Sequence, residues 1–175
     1  MGSTHADEVL REIAAERRNK FWGKYRGTVV DVLSGDDLGK LTVSVPDVYS
    51  DLNTMVAWPC VPYAGPKHGF VVVPEVGDGV WVEFEGGDPS HPIWVGCWWA
   101  SGDMPSPSDT NVRTWITSGG LQVVLDDGQS QISLVHPQGA QIVLSGTDIT
   151  LSIGSTSLKL DASGFTANGV MQVGS

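Results

Sequence analysis

The chain has 175 residues, with 20 acidic against 10 basic side chains, 22 glycines, 10 prolines and two cysteines. That length allows one or two small domains, and the density of turn residues points to β structure. Purely apolar runs such as Phe70 to Val73 are too short to cross a bilayer, and no charged-then-apolar leader opens the chain. A soluble protein without a secretory signal is therefore expected, with Cys60 and Cys97 as two small apolar side chains in a reducing compartment rather than a bridge.

Charge divides the chain into three. Residues 1–26 carry six Lys or Arg against four acids, residues 27–115 three against twelve, and residues 116–175 one against four. The first stretch, "STHADEVLREIAAERRNK", predicts a short helix. Thr4 is placed to cap it with Asp7 three residues on, acids fill the first turn, and Arg17, Arg18 and Lys20 fill the last, so each end suits the helix dipole. Its apolar stripe, Val9, Leu10, Ile13 and Ala14, is too thin to hold an isolated helix in water, which leaves a frayed arm or a helix docked on a partner.

From Tyr25 to Trp99 the pattern is strands and tight turns. "YRGTVVDVLS" and "GKLTVSVP" are two strands around Gly35-Asp36-Asp37, "MVAWPCVPYAG" is a third interrupted by prolines, and "DGVWVEFEGGDPSHPIWVGCWW" is a hairpin with a Gly-Gly-Asp-Pro turn. Five such strands in so few residues suit a small closed barrel, because closure removes exposed edges. Val80, Val82 and Phe84 are expected inside it, with Trp81, Glu83 and Glu85 outside.

Beyond the Pro and Ser-rich stretch from Asp103 to Ser108, short strands recur every eight to eleven residues, separated by Gly, Ser, Asp or Asn. Leu121, Val123 and Leu125, then Ile132 and Leu134, Ile142 and Leu144, Ile149, Leu151 and Ile153, and Leu158 and Leu160 alternate with mostly polar residues, which is the period of half-buried strands. One chain of such strands has too little apolar area to close a core. Three chains around one axis can, each strand pairing with strands of its two neighbours and the Leu and Ile filling the axis. Val124, Val135 and Val143 have the opposite parity, so either some outer positions are apolar or the register slips there. His136 shares the inward parity; three copies on an axis would suit an ion or water, whereas the Pro137 that follows favours a ring that caps a strand end.

The segments "KYRGTVVDV", "GKLTVSVPDV", "WPCVPYAG", "VPEVGDGVWVEFEGGDPSHPIWVG" and "TSGGLQVVLDDGQSQISLVHPQGAQIVLS" resemble, in this order, the OB-like barrel and following spike of the phage baseplate assembly protein V and VgrG family, over roughly residues 24–160. The most specific piece is Pro74-Glu75-Val76-Gly77-Asp78 with the later Gly87-Asp88-Pro89. Its physics is that of scaffold: Pro74 ends a strand, Gly77 supplies a positive φ and Asp78 bonds local backbone donors. The resemblance implies an all-β protein: an N-terminal helix or arm (1–23), an OB-like barrel (24–102), a linker (103–115) and a trimeric intertwined β-helix spike (116–175).

By the same resemblance the protein is the homotrimeric central spike of a contractile phage tail or injection system. It docks under a trimeric hub and pierces the target envelope when the sheath contracts. Val9, Leu10 and Ile13 are the expected hub contact. Phe165, Val170, Met171 and Val173 are the expected seat of a PAAR-like tip protein, since the sequence shows no His after position 136 to build a metal-bearing point. No enzyme constellation, cofactor motif or metal-ligand spacing is present, so no catalytic role is expected. The alternative, an OB module that stacks single-stranded nucleic acid on its aromatics, conflicts with the acidic barrel, which would repel a phosphate chain.

Overall fold

The computed structural model describes residues 3–18, 20–50 and 53–169. A 16-residue helix, α1 (Ser3–Arg18), comes first. It starts one residue before Thr4, so the expected cap falls inside the first turn, where there is no acid. Every side chain described from His5 to Ala15 is exposed, including the stripe of Val9, Leu10 and Ile13.

The next strands are β1 (Tyr25–Val32), β2 (Leu41–Ser44), β3 (Thr54–Pro59), the short β4 (Ala64–Gly65) and β5 (His68–Gly69), then β6 (Gly79–Phe84) and β7 (Pro92–Trp98). Five of them close a barrel in the order β1-β2-β3-β7-β6, with β6 returning to β1 antiparallel and β3 lying parallel to β7. This is an OB-like barrel. Alternation decides its interior: Val80, Val82 and Phe84 are buried with Val29, Leu41, Val43, Val45, Ala57 and Trp94, while Trp81 and Glu83 face outward, half-buried, and Glu85 is exposed. At one end of this core Phe21, Tyr25, Tyr49 and Phe84 meet edge-on or tilted, with centroids 5.5–6.0 Å apart. Trp94 closes another gap by donating its indole N–H to the Gly39 carbonyl at 2.8 Å.

The strand expected over 55–65 stops at Pro59, because Pro59 and Pro62 cannot donate to a ladder. The chain leaves the barrel there and forms the separate β4/β5 hairpin. Cys60 and Cys97 are free thiols, in line with the expected absence of a bridge, and both are exposed. The turn before β6 behaves as scaffold. Gly77 has φ +96, Asp78 Oδ2 accepts the Glu75 N–H at 2.8 Å, and β1 is clamped by Gly77 N–H to the Val29 carbonyl and Val29 N–H to the Asp78 carbonyl.

The second compact unit, Ser101–Ser175, is one antiparallel sheet of β8 (Val112–Ile116), β9 (Gln122–Asp126), β10 (Gln131–Val135), β11 (Ala140–Leu144), β12 (Asp148–Ile153), β13 (Thr156–Asp161) and β14 (Gly164–Asn168). β8 takes in the last residues of the stretch read as linker. Each strand pairs with its chain neighbours through short turns, so the interior backbone groups are satisfied within one chain. Within one chain these strands form a meander. Turns as short as Gly154-Ser155 and Ala162-Ser163 bring consecutive strands back alongside one another.

Candidate functional site

Cross-strand register collects the predicted core residues into rows on one face of the sheet. One row runs Leu125, Ile132, Leu144, Ile149, Leu160 and Phe165. The next runs Trp115, Val123, Leu134, Ile142, Leu151, Leu158 and Ala167. A shorter row holds Ala140, Ile153 and Thr156, continued by Leu121 and His136 through Thr117 N–H to the Leu121 carbonyl and His136 N–H to the Ala140 carbonyl. Directly opposed side chains lie close enough to pack, so the rows are continuous apolar stripes.

Among the described residues of this unit, none covers them. Eleven of the twelve residues expected at the axis are 37–69% exposed, and Val123 is half-buried. An open groove of about 840 Å³ runs over this face, lined by Trp115, Leu134, Ile142, Leu151 and Leu158 among others. Phe165, expected at the tip contact, stands in the first row on the last described strand and is 64% exposed. Val170, Met171 and Val173 lie outside the described residues.

The opposite face has a different chemistry. Val124, Ser133, Val143, Thr150 and Lys159 oppose one another across β9 to β13, so the valines of opposite parity sit on this face with no slip of register. Small side chains flanked by longer ones are shielded: Val124 and Ser133 are buried, and Ser133 Oγ accepts from Gln131 Nε2 at 2.8 Å. Lys159 bridges Asp148 (3.3 Å) and Asp161 (3.8 Å), which oppose one another on β12 and β13. Both carboxyls are held below their ordinary range. For Asp148, burial pushes up but is outweighed by Lys159 and the hydroxyls of Thr147 and Thr150. For Asp161, the Ser163 hydroxyl and N–H act first, with Lys159 adding.

His136 Nδ1 accepts the Gln138 N–H at 3.2 Å, and Gly139 N–H returns to the His136 carbonyl. The ring is thereby engaged in the turn after β10, with its other nitrogen left to donate. Among the described residues no three His, Cys, Asp or Glu side chains gather as they would around a metal ion, and no helix is long and apolar enough to cross a membrane.

On the barrel, the outer face of β1 and β6 carries cross-strand pairs. Lys24 bonds Glu83, and the Arg26 guanidinium lies 5.6 Å from the Trp81 ring and 5.1 Å from the Trp98 ring. Trp98 lies back over Gly79, where a Cβ would come within 2.5 Å of its ring, and donates its N–H to the Val80 carbonyl. Tyr49 donates its hydroxyl to the Pro89 carbonyl. Its pKa is pushed up to about 12, by burial and then by the Asp88 charge. These contacts brace the barrel. The sequence had indicated its inside and outside, but the folding back of Trp98 onto a glycine had no periodic signal.

Residues 25–99 match the family model for the Type VI secretion system/phage-baseplate injector OB domain. No curated protein matches the chain.

Proposed function

We propose, from the match of residues 25–99 to the OB domain of the Type VI secretion system/phage-baseplate injector family, that the protein is the homotrimeric central spike of a VgrG-like baseplate. The observation that carries this is the uncovered apolar face of the seven-stranded sheet, with Leu and Ile in unbroken rows. Burying the remaining surface of one such side chain stabilises by roughly 1.5 kcal/mol at about 25 cal/mol per Å². The rows of one chain therefore offer on the order of 15 kcal/mol, against an association cost of about 4–15 kcal/mol. Three copies facing inward would make a dry axis, with the Lys159, Asp148 and Asp161 face outward in water.

The work of this spike is mechanical and needs no active site or cofactor. Sheath contraction would supply the force, the barrel and α1 would hold the spike under a trimeric hub, and the β14 end would meet a PAAR-like tip protein or the target envelope. Assembly in the cytoplasm as part of a phage or injection particle follows from this role. Sedimentation of the purified full chain should give a trimer at micromolar concentration. Leu151→Asp should break it to monomers, since three carboxylates would meet at a dry axis. A stable, well-folded monomer, or a trimer indifferent to Leu151→Asp, would overturn the reading.

A further inference from the structure

The β4/β5 hairpin and the chain that follows it form a knob of unusual composition for this barrel. Tyr63, Phe70, Val71 and Val72 are all exposed, Val71 at 72%. The knob is nevertheless locally ordered. Phe70 N–H bonds the Tyr63 carbonyl at 2.9 Å, the Tyr63 and His68 rings lie 5.3 Å apart, and the His68 ring occupies the space where a side chain on Gly65 would stand. At its tip Lys67 is held at φ +61. Lys67 makes no ion pair among the described residues, and the only other Lys or Arg between residues 27 and 100 is Lys40, which is bound to Asp37 at 2.6 Å and lies 4.0 Å from the Trp58 ring.

A surface of complementary character lies on the outer side of β1, β2 and β3. Val30, Leu38, Val56 and Trp58 are exposed there, with Thr42 opposite Val56 and at the bulge beside Val30. Asp31 is exposed opposite Thr42 in the same row, Asp36 is exposed in the turn from β1 to β2, and neither takes part in an ion pair among the described residues. A cationic, aromatic knob and an acidic apolar face are complementary in both charge and polarity. Both are uncovered within a single chain, so the knob does not sit on its own barrel.

We infer that the hairpin knob around Lys67 docks on the Trp58 face of a second copy's barrel. The contact joins two different patches and is head-to-tail, so it closes at three copies if the rotation allows. It deepens the spike reading by giving the barrels an interface of their own, separate from the apolar sheet face.

The test places a photo-crosslinking p-benzoylphenylalanine at Val71 in the full chain, with sedimentation of the same preparation. Irradiation should yield interchain products whose partner peptide contains Leu38, Val56 or Trp58. Lys67→Glu should lower their yield about tenfold, as expected for the loss of one desolvated charge pair, and Asp36→Lys in the same chain should restore it. A trimer that gives only intrachain products, or interchain products elsewhere, overturns this contact and leaves the spike reading standing. A monomer without interchain products overturns both. A species other than a trimer that still crosslinks at this site upholds the contact and overturns the trimer.

Discussion

Gly79 shows how one absent side chain organises a barrel face. The Trp98 ring can lie over β6 only because nothing projects from Gly79. In that position the ring covers the Val80 carbonyl and gives Arg26 a second aromatic surface. Gly79→Ala should expel the ring and cost about 2 kcal/mol, the usual scale of overpacking, read as a lower denaturation midpoint of the barrel by tryptophan fluorescence. On the sheet, the deciding residue is Lys159. A lowered carboxyl pKa means that the folded chain binds fewer protons than the unfolded one, so the stabilisation from Asp148 and Asp161 is complete above the ordinary carboxylate value near ~3.9 and is lost as pH falls through their depressed values. Lys159→Met leaves the two carboxylates opposed without a cation. Its melting temperature should drop below that of the parent at pH 7, and the gap should narrow at pH 3. An equal gap at both pH values would show that Lys159 acts through packing alone.

Among the elements, α1 and the sheet pose the same problem, an apolar surface left uncovered among the described residues. Helix α1 exposes its whole stripe, and a helix of this length has marginal stability alone in water. Deleting residues 1–20 should leave the trimer intact and weaken copurification with a hub protein; unchanged hub binding would move that contact to the barrel. The stripe was legible because helical spacing appears directly in the sequence, and the sheet rows were legible for the equivalent reason at period two. The partners of each strand were not. Alternation states which face of a strand is apolar and says nothing of whether the neighbouring strand belongs to the same chain, which here the short turns decide. The helix start was misplaced because Thr4 is a good cap by composition, whereas the helix already includes Ser3 and Thr4. The knob around Lys67 had no signal beyond its prolines and glycines.

At the scale of the whole molecule, the proposed spike would have to withstand compression. In each sheet the backbone hydrogen bonds run from strand to strand along the stack, so a load in that direction presses the bonds together rather than pulling them apart. The sheets of three copies would then be held to one another mainly by side chains. In a trimer, the meander would have a topological consequence: the chains would not be entangled. Each sheet would complete its hydrogen bonding before it met another copy, and a copy could leave without being unthreaded. Mixing two isotopically labelled preparations of the folded protein should give mixed trimers in native mass spectrometry under conditions where circular dichroism shows no unfolding. Exchange only after denaturation would mean that the strands of different copies interlace after all.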